Sequence, residues 1–146
     1  MKFNAFSISI SQINIKLFFF KVLKHLKSKD YPIDDAINIC KQHNFRQAQA
    51  FILARCGAVE QALLIYFEIA REMKHYQDFS QLLLFDIIEL IRKNGSFEIW
   101  NLFLNEMSSL GIKQNFEKHV SIVLNDLIEE LSQTIGLTTI LKVFLV

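Results

Sequence analysis

Cys40 and His43 stand three residues apart in INICKQHNF, a spacing that turns two metal-binding side chains toward one side of a helix. A structural zinc site takes four ligands, and no second Cys or His pair lies nearby in the chain. The plainer reading is a small apolar core thiol beside a solvent-facing histidine. His25, His75 and His119 are scattered among polar or basic neighbours and read as solvated helix positions. Glu129 and Glu130 are adjacent, so a helix points them about 100° apart and they make no catalytic carboxylate pair. No GxGxxG, P-loop, GxSxG or HExxH pattern occurs, and four glycines spread over 146 residues give no phosphate-cradling loop. The sequence therefore nominates no catalytic, cofactor-binding or metal-ligating residue, and the chain is expected to be neither an enzyme nor a cofactor carrier. Two polar side chains are noted for other reasons. Arg55, just before Gly57, is placed to bond the last carbonyls of a helix, and Trp100 shares an apolar side with Phe97, Phe103, Leu104 and Met107, which marks it as core.

Chemistry by absence leaves architecture. Hydrophobic residues make up 51% of the chain, 14 of them Phe, so most helices should bury more than one face. Sixteen basic and fifteen acidic residues leave a net charge of +1. The five lysines between Lys16 and Lys29 are separated by aliphatic residues, so no contiguous basic patch for nucleic acid is expected. Cys40 and Cys56 sit inside helical patterns and suit a reducing compartment better than a disulfide. The N-terminal run carries lysines on both sides of a short apolar stretch and lacks a small-residue cleavage site, and no uncharged apolar run approaches the ~20 residues a bilayer crossing needs. A cytoplasmic chain is expected.

Residues 1–14 alternate polar and apolar in SISISQI and read as a loose extended leader. From residue 15 the apolar period becomes helical. A first helix carries Leu17, Phe20, Lys21, Lys24 and Lys27 and ends near Ser28. After Asp30-Tyr31-Pro32 a second carries Ile33, Ala36, Ile37 and Cys40 on one side, with Asp34 and Asp35 at its positive end. Asn44 and Gln47 are expected to cap a third, which stops at Gly57, where a left-handed residue closes the helix. The fourth has Val59, Ala62, Leu63, Tyr66, Ile69, Ala70 and Met73 on one side and Leu64, Ile65 and Phe67 on the rest, the pattern of a helix with neighbours on both sides. Tyr66 and Phe67 cannot face one neighbour together, so one of them is expected to meet an adjacent repeat or a partner chain. Asp78 and Gln81 open a fifth helix ended by Asn94-Gly95. Ser96 opens a sixth ended by Gly111. A seventh starts near Asn115, and Gly136 precedes an eighth. The fold class predicted is all-α: about eight helices in stacked antiparallel pairs, an α-solenoid over 15–146. Ala48, Ala50, Ala54, Ala58 and Ala62 surround the Gly57 turn and allow two backbones to approach closely. The apolar end TTILKVFLV reads as a stack continuing into further pairs, so a fragment of a longer solenoid is expected.

The stretch from Tyr31 to Met73, with Ala36-Ile37-x-Ile39-Cys40-Lys41, Ala48-x-Ala50-Phe51-Ile52-Leu53 and Gly57 before Ala62-Leu63, resembles the clathrin-heavy-chain-type repeat of vesicle coat and tethering proteins. Ile99-Trp100-x-x-Phe103-Leu104-x-Glu106-Met107, Val123-Leu124-Asn125 and Gly136-Leu137-Thr138-Thr139-Ile140-Leu141 are similar to the late solenoid of the vacuolar protein sorting-associated, RING-bearing subunits specific to CORVET-type endosomal tethering complexes. The resemblance implies a scaffold in vesicle-mediated protein transport to endosome, vacuole or lysosome. Its implied partners are the other tethering subunits and, through the full-length protein, a Rab-type small GTPase, with peripheral association to endosomal membranes through the complex. Family members also carry a β-propeller and a RING. Two cysteines sixteen positions apart supply no RING ligand set, so the resemblance brings no metal to this chain.

Two other readings compete. A clathrin-like coat or general helical-repeat adaptor keeps the architecture and would assemble with itself. A small helical enzyme or ligand carrier would need a closed bundle with convergent polar groups, and no such set is legible. The lysine-flanked Phe18 to Phe20 segment within 15–29 also suggests a membrane-surface helix.

Overall fold

The computed structural model describes residues 19–24, 26–27 and 31–135, and every regular element among them is helical. The leader at 1–14, Phe18, His25, the Asp30 break and the expected eighth helix after Gly136 lie outside the described residues. Residues 19–24 form a helical segment. There follow α1 (Ile33–Gln42), α2 (Arg46–Arg55) and α3 (Val59–Arg71). A helix that starts as α4 (Tyr76–Phe79) passes through a π-helical stretch (Ser80–Leu84) into α5 (Phe85–Asn94). The long helices α6 (Phe97–Gln114) and α7 (Glu117–Ile135) complete the set.

The short links are made by left-handed residues. Gly57 has φ +87°, donates its N–H to Ala54 O at 3.2 Å, and lets Ala58 N–H reach Leu53 O at 2.9 Å. This paired closure satisfies two carbonyls at the end of α2 and starts α3 within two residues. Asn44 does the same for α1, against the capping role expected of it. With φ 56° it closes the helix, Asn44 and Phe45 donating to Lys41 O at 3.4 Å and Cys40 O at 2.8 Å. Phe45 is the N-cap of α2 and gives no side-chain cap, and Gln47 points elsewhere. A third left-handed residue, Asn115 (φ 58°), ends α6 three residues beyond Gly111, the expected stop. Gly111 stays helical and buried, facing Val120 and Glu117 at the start of α7. Ser96 caps α6 as expected, its hydroxyl accepting from Ile99 N–H at 3.4 Å. The helix expected from Asp78 begins at Tyr76 with no side-chain cap, and Asp78 lies in its first turn.

Two apolar cores meet at α2. One joins Leu23, Ala36 and Cys40 to Ala48 and Ile52, with Phe19, Phe20, Phe45 and Phe51 packed around them. The other takes Ala50 from α2 and continues through α3, the α4–α5 helix, α6 and α7. Ala48 and Ile52 are one helical turn apart and face one core, while Ala50 faces the other. In the larger core, α3 packs against α2, α5 and α6, and both Tyr66 (2% exposed) and Phe67 (0%) are buried inside it. One of these two rings is expected from the sequence to meet an adjacent repeat or a partner chain; Phe67 lies 6.1 Å from the Phe103 ring of α6, and neither ring is left exposed for a partner. Trp100 is core, 3% exposed and edge-on to Phe103. Phe19 and Phe20 pack on Phe45 and Phe51 at ring separations of 5.5 and 5.6 Å. Phe19 and Phe20 thus both pack on α2 and its N-cap. No helix among the described residues is long and apolar enough to cross a bilayer.

Ion pairs tie helices that are far apart in sequence. Arg46 of α2 forks onto Glu72, with Nη1 to Oε1 at 3.0 Å, and pulls the Glu72 carboxyl below its ordinary range. Arg71 of α3 bonds Glu106 of α6, and the Gln114 amide donates to Arg71 O. Arg92 of α5 forks onto Glu130 of α7 at 2.9 and 3.0 Å, so Glu130 acts as a tie and not as half of a carboxylate pair. These pairs are largely exposed and set orientation more than they stabilise.

Ala50 is fully buried in the core that α2 shares with α3, which leaves no space for added methylenes. Ala50→Leu is expected to lower unfolding free energy by about 1–3 kcal/mol in urea titration, while Gln61→Leu on the exposed side of α3 changes it by less than about 0.5 kcal/mol. Equal effects from the two would contradict this packing.

Candidate functional site: a groove between α2, α3 and α5

The residues that invited chemistry in the sequence do not come together. Cys40 is fully buried and its thiol is pushed up to about 11 by desolvation, so it stays protonated and inert at neutral pH. His43 is exposed against Phe45, and His119 is stacked on Tyr76 at 4.3 Å. Among the described residues no group of three or more His, Cys, Asp or Glu is placed to hold a metal.

Arg55 is where the helices begin to build a site. It does not bond the carbonyls of its own helix. Its guanidinium instead reaches back to the earlier segment, donating to Leu26 O and, at 3.1 Å, to Lys24 O, while lying 4.4 Å from the Phe51 ring centre. A cation at the C-terminal end of a helical segment meets its unsatisfied carbonyls and negative dipole end. Arg55 thereby ties Lys24 and Leu26 to the end of α2 and forms one end of a groove.

The groove encloses about 270 Å³. Phe51 and Ala54 of α2 line its apolar wall with Leu90, and α5 supplies the polar wall through Asp86, Glu89 and Lys93. Tyr66 of α3 also lines it. The tyrosine is 98% buried, yet its hydroxyl has no hydrogen bond to any described residue and is not sealed from the groove. Burial and the nearby Asp86 charge keep that hydroxyl protonated far into alkaline pH. No family model, curated protein or solved structure matches this chain.

Asp86 is the side chain out of balance. Burial raises its carboxyl above the ordinary aspartate range, and Lys24 and the Gln47 amide lower it by less. Lys24 Nζ stands 4.0 Å away, at the outer limit of an ion pair, on a side chain 43% exposed. The other charges are better matched: Glu89 pairs with Lys93 one turn on, at 3.7 Å, and Arg55 is engaged by two carbonyls. Gln47, expected as a cap, also donates to Leu82 O at 3.2 Å, a carbonyl in the π-helical stretch. A second cavity of about 200 Å³, bordered by Phe20, Phe45, Arg46 and Ile69, has its only charged residue paired with Glu72 and offers less.

Sequence reading missed this site because Arg55, Tyr66 and Asp86 belong to three helices and share no motif. The available signal was weak: a tyrosine on a core stripe, and one acidic residue, Asp86, directly before the apolar Ile87-Ile88.

Because folding raises the Asp86 pKa, the native state holds this proton more tightly than the unfolded chain. Its contribution is greatest below the unfolded value and is lost as pH rises through the folded one. Asp86→Asn removes that dependence. As pH rises from the ordinary aspartate range through the raised one, the stability of Asp86→Asn relative to wild type is expected to improve in urea titrations and then level off; a difference that stays constant throughout would contradict the raised carboxyl.

Proposed function

We propose that the chain is a non-catalytic scaffold segment, an α-solenoid of stacked helix pairs that positions partner-binding faces. The observation that carries this reading is the double use of α2, which gives Ala48 and Ile52 to one core and Ala50 to the next. A helix apolar on two sides with small residues on both is what a stack needs so that each pair covers its neighbour. The contact of α3 with α6, beyond the intervening α4–α5 helix, supports the same arrangement.

The setting proposed is an endosomal tethering complex of the CORVET type, with the other subunits as direct partners, a Rab-type GTPase engaged through the full-length protein, and membrane association at the endosome through the complex. This part rests on the residue patterns at Ala36 to Leu63 and Ile99 to Leu141. The mechanism is geometric: ties such as Arg71 to Glu106 and Arg92 to Glu130 hold helix pairs at fixed angles, so that sites on different pairs keep their spacing.

In pull-downs with purified subunits of such a complex, the folded chain is expected to retain at least one of them. A folded chain that retains none would contradict the tethering assignment, and ordered self-assembly of the chain alone would favour a clathrin-like coat.

A further inference from the structure

The groove between α2, α3 and α5 has the dimensions and chemistry of a receptor for one long side chain. Its volume of about 270 Å³ falls below the 300–1,000 Å³ usual for small-molecule and cofactor sites. One wall is apolar and suits a methylene stem, formed by Phe51, Ala54 and Leu90. The polar end holds the half-buried Asp86 carboxylate, whose partners are the Gln47 amide and a Lys24 ammonium 4.0 Å away, and the Tyr66 hydroxyl, which has no hydrogen bond to a described residue.

We propose that this groove binds an arginine side chain presented by a partner protein, its guanidinium donating to the Asp86 carboxylate and the Tyr66 hydroxyl oxygen. The inference rests on the scaffold reading, since it gives that scaffold a specific point of attachment. Guanidinium is favoured over ammonium because its planar fork donates in two directions at once, as two acceptors on neighbouring helices require. The charges that face the groove are compatible with a cation. Lys93 is neutralised by Glu89, and Arg55 is directed at the carbonyls of Lys24 and Leu26. Lys24 is exposed enough to move into water when a better donor arrives. An anionic ligand would meet Asp86 and would find no uncommitted cation among the described residues lining the groove.

The test is an amide-detected NMR titration of the intact chain with three blocked tripeptides, N-acetyl-Gly-Xaa-Gly-amide, where Xaa is arginine, lysine or citrulline. Citrulline keeps the stem and the planar head and removes the charge. Saturable shifts are expected at Phe51, Ala54, Tyr66 and Asp86 with the arginine peptide, at millimolar dissociation constants. Binding should be severalfold weaker for lysine and at least tenfold weaker for citrulline. Asp86→Asn is expected to weaken the arginine peptide at least tenfold and Tyr66→Phe about threefold. No saturable shift, or equal affinity for arginine and citrulline peptides on the wild-type chain, overturns the proposal even if a variant fails to fold. Tether subunits retained as well by folded Asp86→Asn as by wild type would also overturn it and would leave the scaffold reading standing.

Discussion

The close approach of α2 and α3 across Gly57 is the constraint on which the rest of the structure depends. Large side chains between two helices hold their axes toward the wide end of the usual 8–10 Å range, and alanine permits the narrow end. Ala50 and Ala62 are wholly buried in the core these helices share, and Ala48 is buried on the opposite side of α2. The left-handed Gly57 makes the connection short enough for that approach to begin at once. With α2 this thin on both sides, a second layer, from Leu23 to Cys40, can pack behind it. A larger residue at Ala50 or Ala62 would spread α2 from α3, and one at Ala48 would spread α2 from the layer behind it.

From that pair the structure builds outward with ordinary materials. Phe67, Phe103, Leu63 and Met107 fill the larger core without exposure. The arginine–carboxylate forks sit at the rims, where desolvation is slight and direction matters more than strength. Polar side chains that reach between elements, such as Arg55 to the carbonyls of Lys24 and Leu26 and Gln47 to Leu82 O, bond backbone carbonyls of the segment before α1 and of the π turn. The groove arises at the border of these arrangements, where the segment ending at residue 27, the second core and the α5 surface meet.

Helix existence was legible because an apolar period of 3.6 sustained over ten or more residues admits few other structures. Pro32, Ser96 and Gly57 marked their boundaries correctly: Pro32 by its fixed φ, Ser96 by a hydroxyl that caps, and Gly57 by its tolerance of the left-handed region. The errors fall on asparagine. Asn44 and Asn115 have a side chain suited to an N-cap and a backbone tolerant of the left-handed region, so one residue type signals both the start and the end of a helix. Gly111 misled for another reason: it is a buried position inside a helix, beside Val120, and makes no turn. The π turn in Ser80–Leu84 has no marker in a leucine-rich stretch, and the Tyr66 hydroxyl was invisible because a helical stripe says which ring is buried, not what its far end touches.

Native-state hydrogen exchange measures most directly whether the α2–α3 pair unites the two cores. Amides of Ile52, Ala62, Leu63 and Tyr66 are expected to be the slowest, and those of Ala36 to Cys40 in α1 should share their dependence on denaturant as part of one cooperative opening. Exchange of α2 along with α1 in a low-energy opening that leaves α3 and α6 protected would contradict the account.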